Sequence, residues 1–177
     1  MAEEIPHSLT VPLHWQAFTP AEGPMILDLV KTQGDRHILS HRVMARQQWE
    51  HVRGTLVFRV QGPLMGAALY VPDALAVHGD SLAFVVVAAQ WRQLGLGNLL
   101  WGHLLDLAAA ENVPIHTTVG ATNLPSIRLM LAQGMTLVDA HAREDGRILL
   151  HFATPERRCE SCPEILFSST SCVASTM

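Results

Sequence analysis

The sequence predicts a single mixed α/β domain. Its 177 residues are enough for one domain with a substantial core, and 49% of them are apolar. Strand-type and helix-type segments follow one another in the order β α α β β β α β α β β. Strand patterns over 82–88 and 113–119 flank one helical pattern, and such a unit forms a parallel strand pair. We therefore expect a mixed central sheet with helices on its faces.

The first half of the chain combines an edge strand, two helices and a hairpin. Pro12 lies in a loosely alternating stretch and suits an edge strand better than a central one. Thr19 and Pro20 are typical of a helix start. The predicted elements are a strand over 8–18, a helix from Thr19 to Gly34, a helix over 41–51, a hairpin with strands over 54–60 and 64–71, and a loop over 72–80.

The second half contains the predicted parallel pair and a closing hairpin. The strand over 82–88 is apolar on both faces, so it should lie in the centre of the sheet. Gly134 lies where a helix ends in a left-handed residue. The predicted elements are strands over 82–88 and 113–119, helices over 98–112 and 123–134, and a hairpin with strands over 135–142 and 147–152.

Charge and composition exclude several classes of function. The formal charge is −4, and the arginines are scattered, whereas nucleic-acid binding needs a clustered basic surface. The start of the chain does not resemble a signal peptide, and no apolar run is long enough to span a bilayer. We therefore expect a cytoplasmic protein that binds neither nucleic acid nor membranes.

All three cysteines, Cys159, Cys162 and Cys172, lie close to the end of the sequence. Cys159 and Cys162 have the spacing of a zinc or redox pair, but a metal site needs about four ligands and no second pair follows. Cys172 and His151 would bring the number of possible metal ligands to four, but they do not form a second closely spaced pair. We expect no metal site and a mobile tail, because the last ten residues are polar and without pattern.

The most informative segment runs from residue 82 to residue 111 and predicts a strand, an anion-binding loop and a helix. The loop reads Arg92-Gln-Leu-Gly-Leu-Gly97, and unpaired N–H groups at the helix start favour a phosphate group. A dinucleotide fingerprint needs a third glycine where the chain has Leu100. A Walker loop needs a lysine, and the only lysine is Lys31. Both of these nucleotide loops are therefore disfavoured.

In its wider context the segment resembles the acetyl-coenzyme A binding segment of the GNAT family of N-acetyltransferases. Val87 stands five residues before Arg92, and Arg92 to Gly97 matches the family's Arg/Gln-x-x-Gly-x-Gly/Ala. Val119 precedes Asn123 by four residues, and the stretch over 123–135 matches the family's second segment. The resemblance implies a single-domain GNAT fold over 1–155, with a splayed parallel strand pair flanked by helices, and we expect 156–177 to be a flexible tail that contains cysteine and serine.

By this resemblance the protein uses acetyl-CoA as its cosubstrate and needs no metal. Backbone N–H groups over 93–98 would hold the pyrophosphate, and the N–H of Val87 would donate to the thioester oxygen. Asn123 would bond the pantetheine arm or the departing sulfur, although helix capping is an equally good interpretation. The expected coenzyme-binding residues are Val85, Val86, Val87, Arg92, Gln93, Leu94, Gly95, Leu96, Gly97, Asn98, Asn123 and Ser126.

The base and acid that the family often uses are missing from this chain. Their positions hold Ser81, where the family often has Glu, and Met130, where it usually has Tyr. The candidate catalytic residues are therefore His116, Asp80 and Tyr70. Histidine exchanges protons near neutral pH. Asp80 would act through water, and Tyr70, the only tyrosine, has a core role as its alternative.

We expect an N-acetyltransferase that acts on a primary amine of a small molecule, a peptide or a protein. The alternative is a catalytically weakened relative that binds acyl-CoA as a sensor or scaffold. Acylation of a nucleic acid or a tRNA-linked amine is disfavoured by the acidic balance. Four carboxylates are candidates to face a cationic amine, and a homodimer is compatible with this interpretation. The four carboxylates belong to Glu50, Asp139, Glu144 and Asp145.

Overall fold

The computed structural model describes residues 11–32, 49–75 and 80–155, and these form one mixed α/β unit. Its helices and strands, in chain order, are β1 Leu13–Ala17, α1 Gly23–Thr32, β2 Arg53–Arg59, β3 Leu64–Leu75, β4 Asp80–Val87, α2 Leu96–Ala110, β5 Ile115–Gly120, α3 Leu124–Ala132, β6 Thr136–Ala142 and β7 Ile148–Ala153. Short 3-10 turns lie at Pro20–Glu22, Trp49–His51 and Ala89–Trp91. The predicted fold class is confirmed, and the predicted strands and helices that fall within these residues are found with shifted ends.

The strands form a seven-stranded sheet in the order β1-β2-β3-β4-β5-β7-β6. Only β4 and β5 run parallel among these neighbours, as predicted for strands joined through a helix. β4 is the fourth of the seven strands, so its apolar residues are covered on both faces. β1 lies at one edge, where Pro12 just before it costs no ladder hydrogen bond.

Two hydrophobic cores lie on opposite faces of the sheet. Helices α2 and α3 cover one face, where the fully buried side chains include Trp101 and Phe152. Helix α1 covers the other face and buries Ile26 against Leu56 and Val86. Each such aliphatic side chain contributes about 1.5–3 kcal/mol by leaving water. The α1-side core draws on β2, β3 and β4, and among the described residues on none of β5, β6 or β7.

Helix α1 begins as the capping signal predicted. The 3-10 turn at Pro20–Glu22 leads directly into it, and the N–H of Thr19 donates to the carboxylate of Glu22 at 2.7 Å. This bond satisfies a donor that the helix start leaves without a partner. The predicted end at Gly34 and most of the predicted helix over 41–51 lie outside the described residues, which resume at the 3-10 turn Trp49–His51.

The predicted loop over 72–80 is wrong at both ends. β3 continues to Leu75 and β4 begins at Asp80, and these two residues are paired. The register shifts between Val71 and Leu75, and such an irregularity accommodates Pro72, which has no N–H to donate. The long β3 therefore supports the start of β4.

The longest described helix is α2, with 15 residues. No helix in the described ranges is long and apolar enough to cross a membrane. The cysteines of the predicted tail, over 156–177, lie outside the described residues, and the expectation for that segment stays a prediction.

Candidate active site

The parallel strands β4 and β5 separate soon after they meet. Their register pairs are Ser81 with Ile115 and Leu82 with His116. One further contact follows, from the hydroxyl of Thr117 to the carbonyl of Ala83 at 2.9 Å. Beyond it β4 continues to Val87 and β5 to Gly120, but the two strands no longer pair with each other. The sheet therefore contains a wedge-shaped gap, which is the splay that the sequence resemblance implied.

Strand alternation decides which backbone groups of β4 face this gap. The N–H of Ala88 donates to Met65 of β3 at 2.9 Å, so the groups of Val86 also face β3. The carbonyl of Ala83 faces β5, and by the same period the N–H groups of Val85 and Val87 face the gap. Val86 was predicted to bind the coenzyme together with its neighbours. Its backbone is used by β3 and its side chain is buried on the α1 side, so it has no group directed into the gap.

Arg92 is attached to the end of the same strand. Its Nε donates to the carbonyl of Val87 at 3.1 Å, and the residue is exposed. This bond occupies the last gap-facing carbonyl of β4 and holds the guanidinium beside the mouth of the gap. A fixed positive charge here suits an anion bound at the adjacent loop.

The loop before α2 presents a row of unpaired N–H groups. Gln93 and Gly95 have φ values of 64° and 82°, and such left-handed residues turn successive N–H groups to one side. Among the described residues, none of the five N–H groups from Gln93 to Gly97 has a hydrogen-bond partner. The predicted sixth donor is not available, because the N–H of Asn98 donates to Gly95 at 3.0 Å. Five donors at a helix N-terminus form an anion site.

The two glycines of the loop have different reasons to be glycine. Gly95 needs its left-handed conformation, which costs other residues free energy. Gly97 has an ordinary helical conformation, and a Cβ there would lie 3.7 Å from Leu129 and 3.9 Å from Val87, in normal contact. Packing among the described residues therefore does not require glycine at position 97.

Asn123 lies just after β5, on the other side of the gap from the loop. Its side chain accepts a hydrogen bond from the N–H of Ser126 at 3.3 Å and so caps α3. The capping interpretation is therefore correct, and the exposed position of Asn123 also leaves the coenzyme-binding prediction standing. Ser126 contributes its backbone N–H to this cap.

The three candidate catalytic residues lie in different surroundings. Tyr70 is buried, and its hydroxyl donates to Glu111 just after the C-terminal end of α2, at 2.6 Å. Burial, followed by this bond to Glu111, raises the pKa of Tyr70 above its usual range. Tyr70 therefore lies near the end of α2 that is far from the anion loop. This position fits the core role that was the alternative to a catalytic one. Asp80 is the first residue of β4.

His116 is the last residue of β5 that pairs with β4, so it lies where the gap opens. Its ring is half-buried, and its Nδ1 lies 3.0 Å from Nε2 of His151 on β7. The neighbouring Ile115 and Thr117 are buried in the opposite direction, towards α2. His116 and His151 therefore lie on the α1 side of the sheet, which the described core does not cover at β5 and β7.

The acidic residues predicted to face an amine are not equivalent. Asp145 is paired with Arg147, whose hydrogen bonds lower the pKa of this carboxyl to about 2. Its charge is thus compensated locally. Asp139, Glu144 and Glu50 are exposed, and Asp139 lies 4.0 Å from His141. Met130, at the position of the usual tyrosine, is 3% exposed in the α2-side core.

His151 is the functional candidate that sequence reasoning missed as a partner of His116. The signal was present as a histidine in the last strand of the predicted hairpin. What was absent was the strand order, because β7 lies beside β5 and β6 lies outside it. No group of three or more His, Cys, Asp or Glu residues able to hold a metal occurs within the described ranges.

Several solved structures that match this fold are acetyltransferases by name. The ribosomal-protein-alanine N-acetyltransferase from Brucella melitensis matches with a TM-score of 0.64 at 20% identity, over 80% of this chain and 98% of that chain. The ribosomal-protein-S18-alanine N-acetyltransferase from Escherichia coli matches with a TM-score of 0.66 at 18% identity, over 86% and 100%. The structure of yncA from Salmonella typhimurium with its cofactor acetyl-CoA matches with a TM-score of 0.67 at 16% identity, over 87% and 99%.

The mixed sheet with its splayed parallel pair thus defines an acetyltransferase-type α/β fold. Residues 23–135 also match the family described as the acetyltransferase (GNAT) family. Among curated proteins, no sequence matches the chain. Because the family match spans more than half of the sequence, the chain belongs to the GNAT acetyltransferase family, whose fold uses acetyl-CoA.

Proposed function

We propose that the protein transfers the acetyl group of acetyl-CoA to a primary amine of a small molecule, a peptide or a protein, by direct attack of the amine on the thioester. The observation that carries this proposal is the position of five unpartnered N–H groups beside the open edge of β4. The first feature suits a pyrophosphate. The second suits an extended arm that contains amide groups, which can pair with a free strand edge.

Each side of the gap has a role in holding the coenzyme. The N–H groups from Gln93 to Gly97 and the guanidinium of Arg92 would bind the phosphates. The gap-facing N–H groups of Val85 and Val87 would pair with the arm, and one of them would donate to the thioester oxygen as it gains charge. Asn123 would bond the arm from the other side of the gap.

His116 is the proposed base for the amine. It lies at the level of Leu82, and at about 3.3 Å per residue Val85 is about 10 Å and Val87 about 16 Å further along the strand. A direct hydrogen bond spans only about 3 Å, so an amine that attacks beside Val85 would pass its proton to His116 through bridging water. The departing thiol has an ordinary pKa of about 8.5, so it leaves without a strong acid, and positioning supplies much of the rate.

The acceptor would lie on the α1 side of β5 and β7. The exposed carboxylates nearby in the fold, on β6 and in its hairpin, favour a cationic or neutral amine. Two of the matching structures are N-acetyltransferases of ribosomal-protein alanine by name. A peptide that begins with alanine is therefore one acceptor to test, beside a lysine peptide and a polyamine.

A second candidate function is an acyl-CoA sensor or scaffold. It is favoured by Ser81 and Met130, which stand where the family often has its base and acid. Met130 is buried in the core, and its thioether has no proton to donate. In this case the protein would keep the coenzyme site and lack transfer.

Amine-dependent release of free thiol separates the two candidates. Purified full-length protein would be incubated with acetyl-CoA and each of the three acceptors, with an amine-free reaction as the control for hydrolysis. The enzyme predicts thiol release that depends on at least one amine, with the acetylated product detected by mass spectrometry. Binding of acetyl-CoA at micromolar concentration without amine-dependent release would replace the enzyme with the sensor.

A further inference from the structure

The ring pair of His116 and His151 has a geometry that the proposed function does not yet explain. Nδ1 of His116 lies 3.0 Å from Nε2 of His151, and the ring centroids are 5.0 Å apart at 50°. At this nitrogen-to-nitrogen distance one ring donates a hydrogen and the other accepts it. Both rings are half-buried, so water competes less for this bond than it does at the surface.

We propose that His151 is a positioning and proton-relay residue for His116, an inference that rests on the proposed function. His116 carries its hydrogen on Nδ1 and donates it to Nε2 of His151. This bond fixes the orientation of the His116 ring and directs its basic Nε2 to the acceptor amine. A histidine that is held by such a bond needs no further ordering when the amine attacks.

The proton transfer balances through the pair. The amine nitrogen forms a bond with the acetyl carbon, and the carbon–sulfur bond breaks with its electron pair on sulfur. The amine proton passes through bridging water to Nε2 of His116 while the Nδ1 proton of His116 passes to Nε2 of His151. When the amide has formed, that proton returns from His151 to Nδ1 of His116, and Nε2 of His116 gives up its proton through water to the thiolate, so both rings regain their starting hydrogens.

The described neighbours of the pair are apolar on β4 and polar on β6. The register partners of His116 are the apolar Leu82 on β4 and Ala153 on β7. His151 lies opposite Asp139 of the edge strand β6, so their side chains share one face of the sheet. Asp139 is exposed and lies 4.0 Å from His141. These two charged or titratable groups on β6 line the outer end of the relay.

Ring-nitrogen NMR of the full-length protein tests the pair without any substrate. At neutral pH we expect His116 to carry its hydrogen on Nδ1, with Nε2 of His151 as the acceptor. In His151→Gln the position of the hydrogen on His116 is no longer set by a second ring. A hydrogen on Nε2 of His116 in the wild type would block the proposed base and overturn the inference.

Kinetics with the fastest amine of the acceptor panel test the relay itself. We expect His151→Gln to lower kcat about tenfold or more, with an unchanged KM for acetyl-CoA and a changed acid limb of the pH profile. His151→Glu should restore part of the rate, because a carboxylate accepts the Nδ1 hydrogen of His116. His14→Gln, on the far edge strand β1, is the matched control and should keep the wild-type rate.

Two failures remain distinguishable. If wild-type protein releases thiol with an amine and His151→Gln matches it in kcat and pH profile, the relay is wrong and the enzyme stands. If wild-type protein releases no thiol with any amine, the proposed enzyme is wrong and the relay with it. Thiol release by the wild-type protein therefore separates the two failures. The NMR spectra report in either case whether the two rings share a hydrogen.

Discussion

Gly97 offers the sharpest test of the anion loop, because packing does not explain why it is glycine. In Gly97→Val the added Cβ would lie 3.7 Å from Leu129 and 3.9 Å from Val87, both ordinary contacts. Valine also has a slightly better helix propensity than glycine. We therefore expect the melting temperature to stay within about 3 °C of the wild type. The new side chain would instead occupy the space through which a phosphate reaches the loop.

The expected loss of affinity follows from the blocked donors. A hydrogen bond to a charged group contributes about 1.5–3 kcal/mol, so losing two N–H contacts costs about 3 kcal/mol or more. This corresponds to a rise in Kd for acetyl-CoA of roughly a hundredfold. Calorimetric titration of the purified variant measures it directly.

Gly102→Val is the matched control for this experiment. Gly102 lies in the same helix, and a Cβ there would approach only the side chain of Gln133, at 3.9 Å. This variant should keep the wild-type Kd. A folded Gly97→Val protein with unchanged Kd, or an equal loss in Gly102→Val, would refute the assignment of the loop.

Three further substitutions test other parts of the account. Arg92→Ala should weaken acetyl-CoA binding about tenfold and reduce the dependence of Kd on salt. Calorimetry at two salt concentrations measures both, and a Kd with the wild-type value and salt dependence would contradict the role of Arg92. Asn123→Ser keeps a capping oxygen, so the free energy of unfolding should change by less than about 0.5 kcal/mol. Turnover should fall because serine is too short to reach the coenzyme. Unchanged turnover would mean that Asn123 acts only as a helix cap. Tyr70 has a raised pKa, so the folded state holds its proton more tightly and stability should fall as pH rises above about 10. Tyr70→Phe should remove this fall, and phenolate absorbance reports the one tyrosine directly.

Local sequence signals predicted the parts of the site that depend on backbone conformation. The left-handed conformation of Gly134 was expected from its place at the end of a helix, and its φ is 74°. The apolar strand before Arg92 was expected in the centre of the sheet because it has no polar face. These features depend on residues close in sequence, which explains why a single chain was sufficient to predict them.

Contacts between distant segments were less accessible to sequence reasoning. Tyr70 and Glu111 are 41 residues apart, and nothing in either segment indicates that the hydroxyl meets the end of α2. His116 and His151 become neighbours only because β7 enters the sheet between β5 and β6. The lack of a polar face in β4 predicted its burial, whereas the pairing with β3 determined that Val85 and Val87 face the gap and Val86 does not.

Backbone amide NMR of the wild-type protein, with and without coenzyme A, tests the central claim most directly. The account predicts that the largest shifts occur at the five amides from Gln93 to Gly97 and at Val85 and Val87, while Val86 shifts less because its N–H is bonded to β3. Binding with shifts confined to another part of the sheet, or no response of the loop amides at saturating coenzyme A, would contradict it.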